Sequence, residues 1–169
     1  AQQQLFENHA QDSRYNGPLE VSPTVTQRYG TGGGNTPLIV RKKSLVRRIT
    51  PLECERLQGF PDGWTDIGPW VDSKGKLHKE SSDSSRYKAL GNSIALPPWA
   101  WVLSRLSTYA TDEPTMASLF DGIGGFPLLW ERINGKGSCL WASEIEEFPV
   151  AVTKYHFGNG NQRNQDAQD

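Results

Sequence analysis

Glu144 lies 22 positions after Gly122, and the stretch between them holds four more glycines, an apolar helical face and a second apolar run. A carboxylate at about that distance beyond a glycine turn meets ribose hydroxyls in strand–helix–strand units that bind nucleosides. The turn itself reads Ala117-Ser-Leu-Phe-Asp-Gly-Ile-Gly-Gly-Phe126. Gly122, Gly124 and Gly125 permit a tight bend and let a ligand approach the backbone closely. Asp121 repels phosphate, and Pro127 removes one N–H donor from the helix start, so a pyrophosphate is poorly served. A cationic nucleoside carrying an amino group, such as S-adenosylmethionine, suits the same residues better. On these residues alone, an ordinary strand-to-helix turn is an equal alternative.

The elements that must hold this loop are legible around it. Ala117 to Phe120 are short and apolar enough for a buried strand. Pro127 fits the first turn of a helix with Leu128, Leu129 and Ile133 on its apolar face. Gly135 and Gly137 end that helix, and Ser138 to Ser143 supply a second strand. Upstream, Thr50 and Glu53 form a capping box with Pro51 at the first helical position and Gly59 as the stop. Cys54 inside that helix and Cys139 in the second strand read as small core residues. A further helix is expected around Pro98 to Tyr109, with Asn92 and Ser93 as capping types before it. Asp66 to Ser85 is polar and reads as a mobile loop, and Asn159 to Asp169 as a disordered tail.

Charge is unevenly spread. Residues 1–110 carry 14 Lys/Arg and 10 Asp/Glu, whereas residues 111–169 carry 4 and 9. Five of the basic residues fall between Arg41 and Arg48, which suits contact with a phosphate backbone. Arg28 and Tyr29, before the glycine-rich stretch 30–34, are placed on nucleic acid by the same reasoning. Two separated cysteines point to a reducing, cytoplasmic compartment without disulfides. His9, His78 and His156 are too scattered for a metal site, and Leu96 to Leu106 is far too short to span a membrane.

Two longer segments carry a resemblance. Arg47-Arg-Ile-Thr-Pro-Leu-Glu-Cys-Glu-Arg-Leu-Gln-Gly-Phe-Pro-Asp-Gly-Trp64 and Arg86-Tyr-Lys-Ala-Leu-Gly-Asn-Ser-Ile94 closely resemble the last two motifs of cytosine-5 DNA methyltransferases. Phe120 to Phe126 resembles that family's first motif and Ser143 to Glu146 its second. Pro23-Thr-Val-Thr-Gln-Arg-Tyr-Gly30 looks like the end of its target-recognition domain. The resemblance implies an α/β fold, here a partial, Rossmann-like methyltransferase sheet with a remnant of the target-recognition domain. It implies S-adenosylmethionine as cofactor and duplex DNA as partner, in an enzyme of prokaryotic or phage-encoded type. It places Phe120 on the adenine, Ile145 beside the adenine or ribose and Glu144 on the ribose hydroxyls. Asp121, Gly122, Ile123, Gly124 and Gly125 line the cofactor, Asn92 and Ser93 face its methionine end, and Thr24 reaches a DNA phosphate.

The family's chemistry also needs a cysteine in a Pro-Cys-Gln motif and a glutamate in a Glu-Asn-Val motif, and neither occurs in these 169 residues. No catalytic residue is therefore assigned. The order is unusual as well, because the closing motifs precede the opening one. A permuted enzyme with its catalytic part elsewhere, or on a complementary polypeptide, fits this order; so does an accidental junction of two genes. A non-catalytic module binding the cofactor, DNA or both is the alternative function, and a dinucleotide oxidoreductase fits poorly. The expected organisation is recognition-domain end over 1–46, closing motifs over 47–110, linker over 111–116, cofactor-binding unit over 117–158 and tail over 159–169.

Overall fold

The computed structural model describes residues 3–8, 15–27, 29, 36–41, 45–110 and 112–158. The expectations for Arg28, Lys42, Lys43, the glycine-rich stretch 30–34, His9 and the tail 159–169 lie outside them. The fold is mixed α/β. The first part is an antiparallel sheet in the order β2-β1-β3-β4, with β1 Gln3–Asn8, β2 Tyr15–Leu19, β3 Leu38–Arg41 and β4 Leu45–Arg48. Leu5 on the central β1 faces Leu19 on one side and Ile39 on the other.

Helix α1 (Pro51–Gln58) begins and ends where its local chemistry dictates. The Thr50 hydroxyl accepts the Glu53 N–H, and the Glu53 carboxylate accepts the Thr50 N–H at 2.8 Å. Gly59 then turns the chain out at φ 82°. Cys54 is fully buried in this helix and Cys139 in β8 (Cys139–Ser143), as expected of small core residues.

The polar stretch 66–85 is not a plain loop. It forms a hairpin of β5 (Trp70–Val71) and β6 (Leu77–His78) and then enters α2 (Asp83–Gly91), capped by Ser82. Local hydrogen bonding replaces apolar periodicity here, which is why hydropathy missed it. The Asp72 carboxylate accepts the N–H groups of Lys74 and Lys76 and sits 3.0 Å from the His78 ring. The His78 ring in turn stacks on Trp70 at 4.1 Å.

Helix α3 (Leu96–Thr108) starts two residues before the expected Pro98, because its first turn tolerates both prolines. It packs on α4 (Gly125–Asn134), which joins the parallel strands β7 (Met116–Leu119) and β8. Helix α5 (Glu147–Phe157) closes the described chain. One buried cluster runs through all of this, from Ile39 and Cys54 through Leu90 and Leu96 to Ile123 and Val152.

The strand β7 departs from expectation. It is not buried on both faces: Leu119 is 63% exposed and Phe120, just past its end, 85%. Helix α4 covers one face of the β7–β8 pair, and among the described residues no element covers the other.

Candidate functional site

Of the predicted site residues, those at 120–125, 144 and 145 collect at the carboxyl ends of β7 and β8, where ligands sit in open α/β sheets. The Asp121 N–H donates to the Ser143 carbonyl at 2.9 Å, which holds the loop level with the end of β8. Glu144 then reaches across. One carboxylate oxygen accepts the Gly122 N–H at 2.7 Å, and the other accepts the N–H groups of Ile145 and Glu146 at 2.7 and 2.8 Å. Three backbone donors thus fix the acid to the glycine loop. Phe120 and Ile145, 85% and 74% exposed, flank it as bare apolar groups.

The three loop glycines differ in purpose. At Gly122, with φ 61°, nothing lies within 4 Å of where a side chain would start, so the space over the loop is open. Gly124 is glycine because Phe157 would stand 2.7 Å from a Cβ, and Gly125 because Ile94 would stand 3.1 Å away. Those two accommodate packing. Asp121 is buried and accepts a hydrogen bond from the Ser118 hydroxyl at 2.6 Å, so its carboxylate is not the exposed anion that the loop composition implied. Ile123 is fully buried, a core residue rather than a lining one.

Asn92, from the closing motif, caps the end of α2 and is exposed. It lines a cavity of about 470 Å³ together with Ile145, Lys88, Trp70, His78 and Phe148. Segments 53 residues apart therefore meet in one space. The glycine loop, Phe120, Glu144 and Ser93 do not line this cavity; Ile94, two residues after Asn92, packs against Gly125 of the loop. Lys88 bridges to Glu146 at 2.8 Å, tying α2 to the start of α5.

The segment expected on DNA is only partly outward. Thr24 is exposed. Tyr29 is 2% exposed and donates its phenol hydrogen to the Thr24 carbonyl at 2.8 Å, so it supports Thr24 from within instead of facing a partner. Burial, with lesser help from the charges of Cys54 and Glu7, pushes that phenol well above the usual tyrosine range. Gly91 seats this segment: a Cβ there would overlap the Gln27 nitrogen at 1.8 Å. Arg47 is also committed inward, its guanidinium bound to both oxygens of Glu53 at 2.6 and 2.7 Å, whereas Arg48 stays exposed.

Neither cysteine is available as a nucleophile. Burial, then the charges of Glu53 and Glu55, push the Cys54 thiol up to about 12. Two residues that sequence reasoning left without a role stand out. Trp64, inside the quoted closing motif, donates its indole N–H to the Ile123 carbonyl at 2.8 Å, and His156 stacks on it. Nothing in their spacing, 92 positions apart, signals the pair.

A mixed α/β chain with a glycine loop and an acid at parallel strand ends is the class these observations define. Its family follows from comparison: the profile of the C-5 cytosine-specific DNA methylases matches residues 3–107, and the chain belongs to that family. Among similar proteins is a DNA N-6-adenine-methyltransferase of Escherichia phage P1, 38% identical over 82 residues, covering 37% of this chain and 11% of that protein. The Type II methyltransferase M.Bsp6I of Bacillus sp. (strain RFL6) is 36% identical over 77 residues, 46% of this chain and 20% of the relative. The DNA (cytosine-5)-methyltransferase DRM1 of Arabidopsis thaliana is 28% identical over 145 residues, 77% of this chain and 22% of the relative. The chain spans between about a tenth and about a fifth of these relatives' lengths. Among the described residues no helix is long and apolar enough to cross a membrane.

Proposed function

We propose that the chain is part of an S-adenosylmethionine-dependent DNA cytosine-5 methyltransferase in permuted order. It contributes the cofactor pocket and the closing motifs, and the attacking thiolate comes from outside these 169 residues. The observation that carries this reading is the shared cavity of Asn92 and Ile145, beside a glycine loop to which Glu144 is already bonded. The permuted order has its own support. A match covering 77% of 169 residues is about 130 residues long, so it necessarily includes roughly positions 40–130. It therefore runs from the closing motifs through the opening one in a single relative, which a chance junction of two genes does not explain. The adenine enzyme of phage P1 matches over a shorter part of the chain, and we read the target base from the family and from DRM1.

The residues fit the cofactor. Open space over Gly122 admits it, Phe120 and Ile145 offer apolar faces to an adenine, and the Glu144 carboxylate accepts ribose hydroxyls. Asn92 offers an amide to the amino-acid end. When bound, S-adenosylmethionine supplies an electrophilic methyl group. This chain's residues bind and orient it, while the base must be turned out of the duplex to be reached. The β7–α4–β8 unit is read as the opening of a Rossmann-like sheet, and the sheet of β1–β4 as the end of the target-recognition domain, with Thr24 on a phosphate.

A second reading, a binding module without chemistry, is favoured by the burial of both cysteines. Calorimetry and complementation separate the two. Titration with S-adenosylmethionine should give binding that Glu144→Ala abolishes, and absence of binding by the native chain rejects the cofactor site. Methyl transfer to duplex DNA should appear only on mixing with a polypeptide carrying Pro-Cys-Gln and Glu-Asn-Val. Binding without transfer in any such mixture leaves the module reading in place and rejects the enzyme.

A further inference from the structure

Trp64 is 6% exposed and holds three separate parts of the site at once. Its indole N–H donates to the Ile123 carbonyl in the middle of the glycine loop, at 2.8 Å and inside the core. Its ring lies flat on the His156 ring, with centroids 3.6 Å apart and planes 1° from parallel, and it meets Phe157 edge-on at 6.0 Å. Its own carbonyl is 2.7 Å from His156 Nε2, which donates to it. Phe157, held against the indole, is the same ring that presses on Gly124.

We infer that Trp64 is a positioning residue for the cofactor loop: its indole N–H sets the height of the Ile123 peptide and so the orientation of the neighbouring Gly122 and Gly124 amides. The physical case rests on what the loop lacks. Gly122 and Gly124 carry positive φ angles, 61° and 82°, and have no side chains to limit them. The Gly122 N–H is held by Glu144 and the Gly124 N–H by the Asp121 carbonyl at 3.2 Å, and between them the Ile123 carbonyl is the point that the buried indole donor holds. An indole donor so placed is lost to water only at the cost of an unsatisfied buried carbonyl. His156 holds the indole in plane, so α5 and the closing motif act together on a loop from which both are distant in sequence. Because the link is non-covalent and spans 59 residues, it works whichever order the motifs follow along the chain. This inference rests on the cofactor reading above for its functional consequence, not for its geometry.

The test uses Trp64→Phe, which keeps an aromatic ring in the stack and removes the N–H. Amide ¹⁵N–¹H shifts and hydrogen exchange at Gly122, Gly124 and Gly125 are compared with the native chain, alongside melting temperature and calorimetric affinity for S-adenosylmethionine. We expect shifted, less protected loop amides, a change in melting temperature of a few degrees and an affinity lower by about three- to tenfold. A purely structural role lowers the melting temperature and leaves the affinity of the folded protein unchanged, which overturns the inference. Unmoved loop amides overturn it as well. Should Trp64→Phe fail to fold, His156→Phe removes the donor to the Trp64 carbonyl while retaining the stack, and the same amides must move in the same direction. If the native chain binds no cofactor, the cofactor reading fails, and the amide shifts alone decide the role of Trp64.

Discussion

Glu55 and Glu144 are both carboxylates that gather backbone N–H groups, and their surroundings are opposite. Glu55 is fully buried. It accepts the Gly63 and Thr65 N–H groups at 2.7 and 2.8 Å and the Thr65 hydroxyl, and Arg86 stands 3.2 Å away. Four donors thus converge on this carboxylate, three of them on one oxygen, and none of it faces solvent. Glu144 accepts three backbone donors as well, yet it is half-exposed at a strand end between two bare apolar side chains. The first arrangement is closed and serves the fold. The second leaves acceptor capacity facing open space, which is what a ligand needs. The two acids mark the two conditions of the molecule: a finished helical region around α1 and α2, and a strand–helix–strand unit covered on one face.

Truncating each acid should give opposite signatures, and this is the largest effect expected. Glu55→Ala leaves the Gly63 and Thr65 N–H groups without an acceptor and takes from Arg86 its nearest carboxylate, with only Asp66 at 3.8 Å and Asp83 at 4.0 Å remaining, at a cost of about 2–5 kcal/mol in urea unfolding. Glu144→Ala should cost about 1 kcal/mol, as loss of a capping interaction does, while removing cofactor binding. Equal losses of stability from the two would erase the distinction between them.

Acid should separate the same two regions by pH. Burial holds His156 below its ordinary value of 6.5, so its contribution is complete above that value. It is lost as pH falls below 6.5 toward the folded value, because the unfolded chain takes up the proton first. Glu53 is held at about 2, chiefly by hydrogen bonds from Arg47 and then from the Thr50 N–H, against an ordinary 4.5. Its contribution is present above 4.5 and disappears as pH falls from there toward about 2. Acid titration followed by amide exchange should therefore release α5 from Trp64 before the α1 cap opens. The pair and cap at Glu53 together are worth about 1–2 kcal/mol. Simultaneous loss of both, or α1 opening first, would contradict the assignment.

How much of this was legible depended on distance along the chain. The Thr50–Glu53 cap, Pro51 and the Gly59 stop lie within one short segment, and their residue types determine their geometry. The nearness of Glu144 to the glycine loop was readable for a related reason: one strand–helix–strand unit has a fixed length, so the spacing brings the acid to the turn, although its bond to the Gly122 N–H was not read. Tyr29 was misplaced because its burial depends on Tyr87, which it meets edge-on at 6.2 Å, and an aromatic beside an arginine looks the same in sequence whether it faces out or in. The closeness of Gly91 to Gln27 and of Trp64 to His156 is tertiary and leaves no local mark. Exposure of Leu119 and Phe120 was illegible for another reason. Their apolar character predicts burial, and burial requires a covering element that the described residues do not include.

Phe120 offers the smallest expected change in stability and the sharpest contrast between the two regions. It is the one described non-glycine residue with positive φ, at 53°, and its ring is almost wholly in solvent. Left-handed backbone costs an ordinary residue about 1–2 kcal/mol, while glycine gives back about 0.5–1 kcal/mol of that in chain entropy. Phe120→Gly should therefore hold or raise stability by no more than about 1 kcal/mol. A residue kept strained and exposed has its use elsewhere, and stacking on a base is worth about 1–3 kcal/mol. Affinity for S-adenosylmethionine should accordingly fall about fivefold or more, with Phe120→Ala losing the same affinity but not relieving the backbone. If both variants bind the cofactor as the native chain does, the aromatic face belongs to some other contact, and the strain at the end of β7 must be explained by whatever covers the open side of the sheet.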